Sequence, residues 1–198
     1  MTITINGNGT VTGVSVGGLP DGIVDTDMLA AGAVTSAKKG AGSILQVVST
    51  TKTTSFSSSS TSYADITGLS ASITPISSSN KIYMAVNLNS CANTRYASFR
   101  FVRGSTNIAL GTDATGDREN ITFTANSNNS IQHGNLVMYN QGMSILDNPS
   151  TTSATTYKVQ GRINYGSGTF YVNRQEDDTD ATYVVRAAST ITLMEVAV

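Results

Sequence analysis

The sequence predicts a mainly β protein, in which an extended N-terminal arm precedes a β-sandwich of jelly-roll type. Three observations predict this fold class. Short segments of alternating apolar and polar residues recur from Ile44 onward, clusters of Ser, Asn, Gly and Asp separate them, and strand candidates lie at both ends of this region. Many short strands with few helix signals are typical of a sandwich, and pairing of early with late strands favours a jelly roll.

The strand candidates follow one another from residue 44 to the C-terminus. In segment 81–89, one face carries four apolar residues, namely Ile82, Met84, Val86 and Leu88. In segment 96–103, Phe99 and Phe101 share one face and Arg100 lies on the other, and the following GSTN predicts a hairpin. The remaining candidates are residues 44–56 and 63–75, then ITFTA, NLVMYNQGMSIL, TYKVQGRINYG, GTFYVNR, TYVVRA and STITLMEVAV.

Residues 1–43 differ from the rest of the chain and form the predicted arm, with residues 44–198 as the sandwich domain. The arm contains Gly, Thr, Ala and Asn with isolated apolar residues and no aromatic residue, so it cannot bury a core of its own. Ile3 and Ile5 alternate with threonines, which predicts a short strand that pairs with a neighbour. Residues 26–31 are the arm's helix candidate.

The apolar side chains of the arm are predicted to contact neighbouring chains in an assembly. Burying one such side chain contributes about 1.5–3 kcal/mol, whereas ordering the backbone costs about 1–2 kcal/mol per residue. Several contacts together are therefore needed to order the arm. The predicted contact residues are Ile3, Ile5, Val11, Val14, Val16, Leu19, Ile23, Val24, Met28, Leu29 and Val34.

Composition and charge exclude several classes of partner. The chain has 12 basic and 13 acidic residues, and only 13% of its residues are charged. This balance provides no basic surface for nucleic acid or anionic lipid. No apolar run approaches the ~20 residues that span a bilayer, and no secretory signal is visible. We therefore expect neither a nucleic acid nor a membrane as partner.

The residues that carry chemistry are few. Cys91 is the single cysteine, so a disulfide framework and a multi-Cys zinc site are excluded, and its apolar surroundings predict a buried, inert thiol. His133 is the single histidine, and neither a GxSxG elbow nor a phosphate-binding loop is present. We therefore expect no catalytic residues, no cofactor and no enzymatic activity.

Two acidic and aromatic features remain as candidates for surface recognition. The run QEDDTD (residues 175–180) lacks the spacing of an EF-hand loop, so a solvated hairpin tip is favoured and Ca²⁺ binding is left open. Tyr165 and Tyr171 flank a GSGT turn and are predicted to form a cross-strand pair. Together with Asp177 and Asp178, they are the candidate residues for binding a surface glycan or protein.

Several segments resemble those of known virion proteins. GIVDTDMLAAGAVTSAKKG resembles the linker repeats of tailed-phage fibre and virion structural proteins, and ILQVVSTTKT, FRFVRGSTNIALG and STITLMEV are similar to their terminal domains, especially in phages of cyanobacteria and marine bacteria. The resemblance implies a non-enzymatic homotrimer of jelly-roll-like domains, assembled into the virion in the host cytoplasm. Its arm would dock on capsid or tail proteins while the domain faces outward.

The length of the arm leaves three versions of this role open. The segment from Gly22 to Ala41 holds only two copies of a weak ten-residue repeat, so a long fibre shaft is absent from the sequence. A short tail or head fibre is the first interpretation. A capsid decoration (cement) protein that stabilises capsomers and a lectin-like module that binds host glycan are the alternatives.

Overall fold

The computed structural model describes residues 4–5, 11–12, 33–35, 38–93, 96–126, 136–164 and 166–198. The chain divides into two compact units, Met1–Gly40 and Ala41–Val198. In the first unit, β1 (Thr4–Ile5) pairs antiparallel with β2 (Val11–Thr12). The strand expected around Ile5 is therefore present, but it pairs within the chain. The helix candidate at residues 26–31 lies outside the described residues.

The second unit contains the remaining strands. In chain order they are β3 (Ile44–Lys52), β4 (Phe56–Ser58), β5 (Ala64–Ile73), β6 (Lys81–Ala92), β7 (Tyr96–Arg103), β8 (Thr106–Ile108), β9 (Phe123–Asn126), β10 (Tyr139–Asp147), β11 (Thr155–Ile163), β12 (Phe170–Val172) and β13 (Ser189–Val196).

These strands form two antiparallel sheets in jelly-roll order. The first sheet runs β3-β13-β6-β10, with β12 pairing the far end of β6 and β4 pairing β12. The second sheet runs β5-β11-β7, and β8 and β9 both pair with the free side of β7. The predicted sandwich is confirmed, and the early strand β3 pairs with the late strand β13, which is typical of a jelly roll.

The core lies between the two sheets and follows the alternation that the sequence predicts. On β6, the four predicted inward side chains are all buried, and on β7 Phe99 and Phe101 are fully buried. Phe99 meets Phe170 of the other sheet edge-on, with 5.4 Å between ring centroids. Aromatic rings in this geometry attract each other beyond the burial of their area. The two sheets are thus joined by ring contacts as well as by aliphatic packing.

Two predicted local features have different outcomes. The hairpin after β7 is confirmed, since Arg103 pairs with Thr106 across a two-residue turn in which Gly104 has a φ of 58°. The strand predicted from TYVVRA at residues 182–187 is wrong, because this segment forms a turn with a single bridge at Arg186. The N–H of Val185 donates to the side chain of Gln175 at 2.7 Å instead of to a neighbouring strand.

A buried carboxylate links β13 at the end of the first sheet to β3 and to the loop after β5. Glu195 on β13 is fully buried. It accepts hydrogen bonds from the Asn80 side chain at 2.6 Å, the Ile76 backbone N–H at 2.7 Å and the Gln46 side chain at 2.5 Å. Burial by itself raises the pKa of Glu195, but the hydrogen bonds from Asn80, Gln46 and the backbone outweigh it, so the net pKa lies below its usual value.

Glu195→Gln is expected to destabilise the domain in a pH-dependent way. A lowered pKa in the folded state means that the carboxylate stabilises the fold above its unfolded-state pKa of ~4.3 and that this contribution is lost as the pH falls through the folded-state pKa. The amide group of Gln would face three hydrogen-bond donors. We therefore expect the variant to lose about 1–3 kcal/mol of the free energy of unfolding at pH 7, and its difference from the parent to become smaller at acidic pH.

Urea unfolding at pH 7, pH 5 and pH 3 measures this difference in the free energy of unfolding. Asp113→Asn is the matched control, because Asp113 is exposed and the substitution makes the same chemical change. A deficit of equal size at all three pH values would show that the charge of Glu195 is not the cause.

A glycine allows the closest packing in the core. Gly161 on β11 is buried, and a Cβ at this position would lie 2.8 Å from Cζ of Phe170 and 2.9 Å from Cε1 of Phe99. Gly161→Ala is expected to lower the free energy of unfolding by about 1–3 kcal/mol, because both rings must shift. Gly142→Ala on β10 is the control, because its new Cβ would lie 3.5 Å from the nearest atom. Its urea midpoint should remain nearly unchanged.

Candidate assembly surfaces

The outward side of the first sheet, called here the neutral face, presents an apolar row. Strand alternation turns Tyr83 away from the core that its neighbours Ile82 and Met84 enter. Met194 lies opposite both Tyr83 and Val47, and Leu146 lies opposite Tyr83. The row across β3, β13, β6 and β10 therefore consists of Val47, Met194, Tyr83 and Leu146. Val47 is 56% exposed and Leu146 is 54% exposed.

The rest of the neutral face is polar and almost without charge. The next row consists of Ser49, Thr192, Ala85 and Ser144, and the row after it of Thr51, Thr190, Asn87 and Gly142. The hydroxyls of Ser49 and Thr192 are 2.9 Å apart, and the Asn140 amide donates to Asn89 at 3.0 Å. Lys81, at the start of β6, is the one charged residue among the outward positions of these four strands.

The outward side of the second sheet, called here the charged face, has the opposite character. Asp65, Gln160 and Arg100 lie side by side on β5, β11 and β7. The Gln160 amide donates to Asp65 at 2.7 Å and accepts from Arg100 at 2.9 Å, and Lys158 forms an ion pair with Asp65 at 2.8 Å. Charges on this side of the sandwich are thus paired along the sheet.

Tyr63 is at the centre of a second group on the charged face. The Arg100 guanidinium lies 3.8 Å from the Tyr63 ring centroid, and the Arg162 guanidinium lies 5.2 Å from it. The Tyr63 hydroxyl donates to Glu119 at 2.9 Å, and Arg162 forms an ion pair with Glu119 at 2.7 Å. Burial, followed by the hydrogen bond and charge of Glu119, raises the pKa of Tyr63 to about 12. Sequence reasoning missed this group because its members lie far apart along the chain.

The predicted surface-recognition residues are only partly brought together. The Tyr171 ring is covered by the Arg174 guanidinium, whose carbon lies 4.4 Å from the ring centroid, and Arg174 and Arg186 both form ion pairs with Asp178. Tyr171 and Asp178 therefore belong to one cluster that Arg174 links. Asp177 accepts instead from the N–H of Thr179 at 3.0 Å, which lowers the pKa of Asp177. Tyr165 lies outside the described residues.

Cys91 and His133 are the other residues that the sequence singles out. Cys91 is fully buried as predicted, and burial raises the pKa of its thiol to about 11. His133 lies outside the described residues. Within the described ranges, no three His, Cys, Asp or Glu side chains are grouped so that they could hold a metal ion. The same part of the chain contains no helix that is long and apolar enough to cross a membrane.

The predicted contact residues of the arm are described only in part. Ile5 and Val11 lie opposite each other in the β1-β2 pair, and Val34 is 53% exposed. The others fall outside the described residues, namely Ile3, Val14, Val16, Leu19, Ile23, Val24, Met28 and Leu29. Their contact with neighbouring chains stays a prediction.

Comparison with known proteins gives structural matches that include two structures of infectious bursal disease virus. No protein-family model matches the sequence, and no curated protein matches it. The structure of infectious bursal disease virus, Gx strain, matches with a TM-score of 0.35 at 16% identity, over 77% of this chain and 37% of that one. The crystal structure of the infectious bursal disease virus VP2 subviral particle matches with a TM-score of 0.34 at 16% identity and the same coverage. The chain thus spans little more than a third of these structures.

Asp178→Asn is expected to loosen the loop between β12 and β13 without unfolding the domain. The substitution removes the carboxylate that separates two guanidinium groups, while exposed ion pairs contribute only about 0–1 kcal/mol to global stability. Amide hydrogen exchange at Val185 should therefore accelerate at least several-fold, with a urea midpoint close to that of the parent. Asp180→Asn, at an exposed aspartate in the same loop, is the control. Unchanged exchange at Val185 would mean that Asp178 does not hold the loop.

Proposed function

We propose that this protein is a non-enzymatic structural component of a virus particle. Its N-terminal arm docks on other virion proteins of the capsid or tail, and its jelly-roll domain forms a homotrimer that projects outward as a short tail or head fibre. The observation that carries the proposal is the neutral face, on which an apolar row with exposed ends crosses four strands of the first sheet with no carboxylate beside it.

The chemistry of the neutral face supports a role in protein contact. Apolar side chains that are exposed in a continuous row are costly in water, and the centres of protein interfaces are depleted in charge. The charged face on the opposite side has paired ions and is suited to solvent. A domain with one side for protein and one for water is what a subunit in an assembly requires, and jelly rolls are a frequent fold of capsid domains.

Two clefts of the domain have ion-paired side chains at their borders. One cleft of about 390 Å³ is bordered by Arg103, which forms a 2.7 Å ion pair with Asp147. A second cleft of about 330 Å³ is bordered by Glu119, which is bound by Tyr63 and Arg162. Asp113 and Arg118 also border the second cleft. Arg103 and Glu119 are each held in an ion pair, an arrangement that is compatible with a structural role.

The three versions of the structural role differ in where the protein lies. The fibre is preferred because the arm and the domain form separate units, which suits an anchor and a projecting head. A cement protein would instead spread its arm over capsomers and stabilise them. The glycan-binding alternative has less support, since Arg174 covers one face of the Tyr171 ring, on which a sugar would otherwise stack.

Immunogold labelling tests the proposal and its versions together. An antibody raised against the purified protein is expected to label isolated virus particles, at the tail or at projecting head fibres. Label spread over the capsid surface would favour the cement protein. Particles that carry no label and no matching band on a gel would refute the virion role.

Removal of the arm tests its function as an anchor. A chain that lacks residues 1–40 keeps the backbone bonds from Gly42 to Ala197 at 2.8 Å and from Ala197 to Ser43 at 2.9 Å. We expect it to retain the circular dichroism spectrum and urea midpoint of the domain but to be absent from particles. The full chain with Thr67→Lys, a change on the exposed side of β5, is the control for incorporation. Normal incorporation of the shortened chain would show that the arm is not the anchor.

A further inference from the structure

We propose that the neutral face packs against the neutral faces of further copies of this chain. The inference deepens the homo-oligomer of the proposed function by naming the surface through which the copies meet, and it rests on that part of the proposal alone. Whether the assembled copies belong to a virus particle does not affect it.

The charge pattern selects a partner with an uncharged surface. Packing the apolar row against a charged surface would remove water from ions without providing partners for them. The second sheet of another copy presents Asp65, Arg100 and Lys158, already paired with one another. The neutral face of another copy presents no such cost, since Lys81 lies at the first residue of β6 and would remain at the rim.

The neutral face is also its own chemical complement. Its apolar row of Val47, Met194, Tyr83 and Leu146 matches a second row of the same length and composition. The adjoining rows carry hydroxyls and amides, and each such group can donate as well as accept a hydrogen bond. Equivalent faces can therefore satisfy one another around a symmetry axis, either as one pair in a dimer or, in the proposed homotrimer, with each face meeting parts of two others.

The size of the face is sufficient for a specific contact. Four strands about 4.8 Å apart and four residue pairs along each strand, about 6.8 Å each, give a face of roughly 19 Å by 27 Å. Two such faces bury on the order of 1,000 Å², the area that a specific interface needs. The contact is thus near the lower limit of stable association, and single substitutions in the apolar row should weaken it measurably.

Sedimentation velocity of the full-length protein tests the inference over a range of concentrations. The parent is expected to associate, and Val47→Lys and Leu146→Lys are each expected to weaken association at least tenfold. Both side chains are more than half exposed, so the fold tolerates the change. Thr67→Lys on β5 adds the same charge to the other sheet and should associate like the parent. A monomeric parent at about 100 µM, or lysine variants that associate normally, would overturn the inference.

Mixing two variants tests whether the partner surface is the same face. Val47→Lys, Val47→Glu and Leu146→Glu chains should each be mostly monomeric, because each places a charge in the apolar row. An equimolar mixture of Val47→Lys with Val47→Glu should regain association if Val47 faces Val47 of the other copy, and a mixture of Val47→Lys with Leu146→Glu if Val47 faces Leu146, since the new ammonium and carboxylate groups then face each other. If the separate variants are monomers and both mixtures stay monomeric, the apolar row contacts a different surface of the neighbouring chain, and the inference is wrong.

Discussion

The register of β6 within its sheet is the constraint on which the rest of the structure depends. β13 and β12 pair with one side of β6 and β10 with the other. Because side chains alternate, the register that buries Ile82 and Met84 also places Tyr83 and Ala85 on the outside. A slip of one residue would exchange the two faces of the strand. The core and the neutral face are therefore two consequences of one pairing.

The two sheets carry their charged side chains on different sides. The charged side chains of the second sheet are paired with one another at its outer surface, around Gln160 and Tyr63. The first sheet has its two carboxylates on the inner side, where donors of the adjacent strand and loop surround Glu195 and Arg103 pairs with Asp147. The outer side of that sheet is thereby left free of carboxylates. The neutral face and the buried cluster around Glu195 thus lie on opposite sides of the same sheet.

Much of the fold could be predicted from local sequence, whereas most of the candidate surfaces could not. The alternation in segments 81–89 and 96–103 predicts the buried faces of β6 and β7 because period two reports burial directly. Segment 182–187 has the same strand-like composition, yet the side chain of Gln175 takes the N–H that a strand would use. Tyr171 and Asp178 were predicted as recognition residues, but their link through Arg174 depends on how the loop folds back.

The sequence by itself determined the fold class, the inward side of the central strands and the buried state of Cys91. These properties depend on residues close together along the chain, where periodicity and turn chemistry act. Only the tertiary structure decided that Val47, Tyr83, Leu146 and Met194 form one row, because that row is made by hydrogen-bond register between four strands distant in sequence. The pairing of Tyr63 with Arg100, Glu119 and Arg162 arose in the same way. Strand register is a property of long-range pairing, and no local pattern reports it.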